Sequence, residues 1–294
     1  AVSTTLRGAL ARAERIEELL RGKYELPQRV KRVAQRLVDL STGETPAFLG
    51  VTAARNANHD QAGRAVNTAI LSLAMTRQIT TDMVLLSRVA MAALLFDTAR
   101  ARIAGVVGKG APGIMPQLSE QQEMDAPAST AVVLTALGRV NEPSVMRTVI
   151  GYEAHWVRRK DRLGPLYRGL RQPSMQSRII SVARVFNDML TPSPGMAPLP
   201  ADEAIARLEK EATEPADRTA IRLLVGALGL FPTGTIVELS TGETALVVHT
   251  PANPSLYSQP RVRVVLDASG GWLARPVEVD LAQKRRGEAP RHVR

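Results

Sequence analysis

Apolar positions recur at three- and four-residue spacing through most of the chain up to about residue 230, and at two-residue spacing after it. The first spacing predicts helices and the second predicts strands. Leu6, Leu10, Ala13, Ile16, Leu19 and Leu20 predict a helix over about 4–22. Val30, Val33, Leu37 and Leu40 predict a second over about 28–40, and Ser41 to Pro46 reads as a turn. A helix over about 61–78 carries Ala65, Ala69, Ile70, Leu73 and Ala74 as its buried stripe. Another is expected over about 80–103, capped by Thr80 or Thr81. Its centre, Met91 to Leu95, is apolar on nearly every side, which predicts a helix through the middle of the fold. Asp97 is the single acid where that apolar run stops.

Residues 106–128 are rich in Gly, Pro and Gln and hold an acidic patch at Glu120, Glu123 and Asp125, so a long surface loop, with one short helix as an option within it, is expected there. Short helices follow over about 128–138 and 142–156. The segment 157–173 is the most basic, with Arg158, Arg159, Lys160, Arg162, Arg168 and Arg171. A long apolar helix is expected over about 174–190, then two more over 201–212 and 217–228, the first with Asp202 and Glu203 in the turn that the helix dipole favours for acids. Beyond Phe231-Pro232-Thr233-Gly234 the pattern predicts strands over 235–240, 245–250, 261–267 and 272–279. They form two hairpins, with Val262, Val264 and Leu266 on a buried face. The fold class is therefore mainly α: a helical segment (1–45), a helical bundle (46–230), a small antiparallel β-module (231–283) and a basic tail (284–294) expected to lack order.

Composition narrows the chemistry. Of 294 residues 45% are hydrophobic but only 3% aromatic, so the core must be built from Leu, Val, Ile, Ala and Met. The near absence of stacking side chains argues against single-stranded nucleic acid as a partner. No cysteine is present, which removes disulfides and thiolate metal sites. Four histidines are too few and too scattered for an independent metal site. His59 lies five residues before Arg64, His249 falls in an expected strand and His292 in the tail. The net charge of +10 permits an acidic partner, although arginines spread over helix surfaces account for it equally well. No apolar run reaches the roughly 18 residues of a membrane helix, and the N-terminus lacks the order of a signal peptide. A cytoplasmic protein is expected. Gly108-Lys109-Gly110 lacks the spacing of a phosphate-binding loop, and neither a nucleophile elbow nor a dinucleotide fingerprint occurs.

Several pieces in order resemble the HD-GYP family, the branch of the HD-type phosphohydrolases that hydrolyses cyclic di-GMP. Arg64-Ala65-Val66-Asn67 resembles its His-x-x-Asn helix, and Ala92-Ala93-Leu94-Leu95-Phe96-Asp97 its Ala-Leu-Leu-His-Asp segment. Glu153-Ala154-His155 resembles its Glu-His-His segment. Arg178-Ile179-Ile180 through Phe186 resembles its Arg-Ile-x-x-Val-Ala-Asp-x-Phe-Asp helix. Leu199 to Ala204 resembles the following helix start, and Pro232 to Glu243 the β-appendage seen after some such domains.

The resemblance implies a multinuclear metal centre held by His and Asp, and most of those positions are substituted. Arg64, Phe96, Ala154 and Arg184 stand where ligands would be. Asp97 and His155 remain, with Asn187 or Asp188 at the last Asp. The Gly-Tyr-Pro motif is missing, and Arg100 stands at the position of the lysine that contacts phosphate. Two permanent cations repel a metal, and Arg64 or Arg184 can pair with Asp97 in its place. A plain helix-end acid paired with an arginine, and a structural histidine, also account for Asp97 and His155.

The favoured expectation is a catalytically inactive HD-GYP-like module, with neither metal nor cofactor, that acts through a protein partner. Homodimer formation through the N-terminal helical segment is a further option. The alternative is a sensor in which Arg64, Arg100, Arg158, Arg159 and Arg184 hold a cyclic dinucleotide or related anion. An active hydrolase would need ligands the sequence does not offer. Non-specific nucleic-acid binding would show steep salt dependence.

Overall fold

The computed structural model describes residues 28–42, 61–103, 118–136, 141–159, 163–191, 197–251, 253–283 and 291–293. The predicted helix over 4–22 lies outside them, as do His59, Lys160 and Arg162. The helices are α1 (Gln28–Ser41), α2 (Gln61–Thr76), α3 (Met83–Leu95), α4 (Thr98–Ile103), α5 (Glu120–Ala136), α6 (Glu142–Val157), α7 (Met175–Leu190), α8 (Ala201–Glu211) and α9 (Pro215–Leu228). The strands are β1 (Ile236–Glu238), β2 (Thr244–His249), β3 (Arg261–Leu266) and β4 (Trp272–Asp280), in sheet order β1-β2-β3-β4 with every pair antiparallel. The chain is thus mainly helical with a small C-terminal sheet. Among the described residues no helix is long and apolar enough to cross a membrane.

α3 occupies the centre because Ser87 and Arg88 are its only polar residues. Leu86, Val89, Ala90, Ala92, Ala93 and Leu95 are buried, and α1, α2 and α6 pack around it. α2 is buried continuously from Asn67 to Thr76. On α7, Ser174 caps the first turn by accepting from Ser177 N, and Ile179, Ile180, Ala183 and Phe186 face the core. Gly151 lets α6 come close, because a Cβ there would stand 2.8 Å from Leu134 Cδ1 on α5.

The structure revises four expectations. The helix over 80–103 is two helices, broken at Phe96-Asp97, and its cap is Asp82, which accepts from Val84 N; Thr80 instead accepts from Asp82 N. Residues 120–128 are the first turns of α5 and not loop. Ser119 and Gln122 close a reciprocal capping box, at 2.9 Å from Ser119 N to Gln122 Oε1 and 3.3 Å from Gln122 N to Ser119 Oγ. On α1 the buried face is Ala34, Leu37, Val38 and Ser41, while Val33 and Leu40 are exposed. In the tail, residues 291–293 are ordered against the sheet. Val293 bridges Leu239, Ser240 N donates to the His292 carbonyl and Arg291 pairs with Glu243 at 3.2 Å.

The sheet has its own core of Val237, Leu239, Ala245, Val247, Val262, Val264, Val279 and Leu281. Register places Val237 opposite Ala245, Ala245 opposite Val264 and Val262 opposite Val279, which puts these side chains on one face. Leu266 is only half-buried. Thr250 Oγ1 lies 3.0 Å from the Leu228 carbonyl at the end of α9, tying β2 to the helical part.

Candidate functional site

The break between α3 and α4 frees backbone groups in the core, and side chains satisfy them. The Phe96 carbonyl accepts from His155 Nε2 at 2.7 Å and from Thr130 Oγ1 at 3.0 Å, and the Leu95 carbonyl accepts from Thr98 Oγ1 at 2.7 Å. The His155 proton therefore sits on Nε2, and Nδ1 is left to accept from Arg159 Nη1 at 3.3 Å. The Phe96 and His155 rings lie 4.9 Å apart. Ala154 is buried in the same helix turn.

Asp97 is buried at this break. Arg184 Nη1 from α7 stands 2.7 Å from Asp97 Oδ2, and Arg100 Nε stands 3.5 Å from Oδ1. His155 Nε2 is 3.8 Å from Oδ1, too far for a hydrogen bond. Burial alone would raise the Asp97 carboxyl, but the Arg184 guanidinium, with Arg100 and Arg158 nearby, outweighs it and lowers the carboxyl to about 2. Burial lowers His155 to about 3, against the opposite pull of Asp97, so the imidazole is neutral at pH 7. Arg184 is also buried, which disfavours its charge, but Asp97 and Asp188 more than restore it.

A second layer surrounds this pair. Arg184 Nε lies 2.8 Å from Asp188 Oδ1, one turn along α7. Arg64 from α2 stands 3.4 Å from Asp188, and Arg158, which caps the end of α6, stands 3.6 Å from it. Glu123 on α5 pairs with Arg100 at 2.7 Å and with Arg159. Beneath Arg64, Asn67 Nδ2 donates to Asn187 Oδ1 at 3.2 Å. The five arginines singled out in the sequence, Arg64, Arg100, Arg158, Arg159 and Arg184, thus gather around Asp97, Glu123 and Asp188. Arg184 is the partner of Asp97, while Arg64 pairs with Asp188.

Glu123 was missed because its segment was read as a loop. The spacing Ser119-x-x-Gln122 was the signal that would have placed it on a helix. The rest of the basic segment goes elsewhere. Arg168 is exposed, and Arg171 pairs with buried Glu153 and lies 4.9 Å over the Tyr167 ring. Glu153 also accepts from Ser174 N and Ser177 Oγ, each at 2.8 Å, and from Tyr167 hydroxyl at 3.2 Å. Burial alone would raise its carboxyl, but these hydrogen bonds, led by the Ser174 amide, lower it. Tyr167, one of these donors, and its neighbour Arg168 take φ 48° and 57°, a left-handed conformation that costs about 1 kcal/mol or more at each non-glycine residue. Replacing Glu153 with Ala should therefore cost about 2 kcal/mol in urea denaturation, as buried donors lose their acceptor. A loss near zero would mean that the turn is held by something else. His249 is an exposed strand residue and His292 lies in the tail; neither joins the centre.

The metals of HD-type centres do not fit these residues. Both oxygens of Asp97 face guanidiniums, His155 gives Nε2 to a carbonyl, and Arg184 is held where a cation would bind. Among the described residues no three His, Cys, Asp or Glu side chains gather as a metal set.

A helical bundle followed by a small antiparallel sheet, with one buried acid at a helix break, defines the class of fold. Residues 236–286 match a family described as the KOW domain associated with HD domain. The match begins with β1 and covers the whole sheet, and it suggests an HD-domain protein family. No curated protein matches the chain. No solved structure matches it either.

Proposed function

We propose that this protein is a non-catalytic HD-type module, a degenerate relative of the HD-GYP branch, that works by docking a partner protein in signalling. The observation that carries the reading is the Arg184 guanidinium 2.7 Å from Asp97, in a centre whose remaining histidine is neutral and engaged with the backbone. A permanent cation at that place offsets the buried carboxylate charge as a metal would, without a Lewis acid or a bound water to attack phosphorus. The order of Arg64, Asp97, His155 and Arg184 around one centre supports descent from an HD-type site. So does the HD-associated KOW match.

An inert centre leaves the outer surface as the working part, and Trp272 and Ile236 stand exposed on the sheet. A second reading, a sensor that binds an anionic nucleotide without hydrolysis, draws support from the convergence of the five arginines.

The test is elemental analysis of protein purified with added manganese, with cyclic di-GMP turnover assayed beside it. The expected result is no stoichiometric metal and no linear product. One manganese or iron per chain, lost in Asp97→Asn, would sink the reading.

A further inference from the structure

Among the described residues five guanidiniums stand against three carboxylates in this centre and His155 is neutral, an excess of two positive charges. Arginine does not shed that charge by deprotonating. Uncompensated charge away from water is expensive, so the centre favours an anion from solution.

The contacts say where. Arg184, Arg159 and Arg100 are closely paired, with Arg184 4% exposed and its ion-pair contacts to Asp97 and Asp188 at 2.7 and 2.8 Å. Arg64 and Arg158 are not. They lie 3.4 and 3.6 Å from the same Asp188 carboxylate, longer than a good charge-assisted hydrogen bond. Arg64 Nε and Arg158 Nη1 are screened from water and have no hydrogen-bond acceptor among the described residues; Arg184 Nη1 has none of good geometry either, but stands 2.7 Å from the Asp97 carboxylate. Their side chains are 12% and 22% exposed, and Asp188 is 26% exposed, so this end of the centre opens to solvent.

We propose that the Arg64–Arg158 pair, beside Asp188, is a binding position for a phosphoryl group, the tetrahedral oxyanion that two guanidinium forks match. The proposal rests on the reading of the centre as one without metal, and it names the ligand class of that same centre. The group binds at the mouth by guanidinium contacts, while the Asp97–Arg184 ion pair beneath stays in place. Asp188 is the competing anion. It holds the two arginines in place when the position is empty and weakens binding by repulsion.

Isothermal titration of the full chain with inorganic phosphate tests the proposal. Wild type is expected to bind at low ionic strength and more weakly as salt is raised. Arg64→Gln with Arg158→Gln should weaken phosphate by about tenfold or more, and Asp188→Asn should tighten it by about tenfold, since a single charge at this range is worth that much. A gain in affinity is a result that misfolding does not produce. A parallel titration with adenosine 5′-monophosphate separates the sources. Much tighter binding than phosphate marks a nucleotide as the carrier, and equal binding marks the bare phosphoryl group; both support the site.

The proposal is overturned by no phosphate heat in wild type and Asp188→Asn, by unchanged affinity in the double variant, or by an Asp188→Asn that fails to tighten. Phosphate binding can fail with manganese still absent, and then the reading of the centre stands without this site. Manganese bound at Asp97 would remove both.

Discussion

Arg184→Ala is expected to lose about 3–5 kcal/mol of folding stability, the cost of leaving a buried carboxylate without its counter-charge. Asp97 is 3% exposed at its side chain, and among the described residues Arg184 stands 2.7 Å from it and Arg100 3.5 Å. With Arg184 gone, burial dominates and the Asp97 carboxyl moves up from about 2, so part of the loss is recovered by protonation at low pH. Urea denaturation at pH 7 and pH 5 reads both effects. The paired replacement Arg184→Met with Asp97→Leu removes both charges and should restore stability to within about 1–2 kcal/mol of wild type, because well-packed apolar groups often equal a buried ion pair. A loss below about 1 kcal/mol in Arg184→Ala would show that the pair does not hold the centre together.

Acid should unfold this protein earlier than its carboxylates alone require. His155 has a folded value of about 3 against an ordinary 6.5. The folded state keeps it neutral, and the unfolded state takes up a proton as pH falls below 6.5. Stability is therefore fully present above pH 6.5 and is lost progressively as pH falls towards 3. At pH 4 the loss through His155 alone is about 3 kcal/mol, at 1.36 kcal/mol per pKa unit. Asp97 adds to it only below about pH 4, where the unfolded carboxyl protonates and the folded one does not until about 2.

His155→Gln keeps a donor for the Phe96 carbonyl and removes the titration. Its stability should fall less steeply between pH 6.5 and 4 than that of wild type. Parallel curves for the two proteins over that range would show that His155 is not the acid-sensitive group.

Much of this architecture was legible along the chain. The periodicities of α2, α6, α7, α8, α9 and the four strands were read within a few residues, because each segment keeps one unambiguous apolar spacing. The two large misses have local causes. α5 begins in Glu- and Gln-rich sequence and carries Pro127 inside it, which looks like loop to a pattern reading. Its start is set by the Ser119–Gln122 capping box, and Pro127 is buried against its neighbours. The break at Phe96-Asp97 has no Gly or Pro to announce it. His155 and Thr130, far along the chain, accept the cost by donating to the Phe96 carbonyl.

The centre divides along the same line. The resemblance of the motif order implied that Arg64 and Arg184 stand near Asp97 and His155, and their residue type made them permanent cations, since an arginine keeps its charge wherever it is placed. Which arginine reaches Asp97 was decided only by the packing of α7 on α2 and α6. That packing brings Arg184 to 2.7 Å and leaves Arg64 with Asp188. The entry of Glu123, and with it the count of five guanidiniums to three carboxylates among the described residues, came from the tertiary structure too. Charge is a property of the residue and can be read in one dimension. Pairing and desolvation depend on distances of a few ångströms between helices, and those exist only after the core has closed.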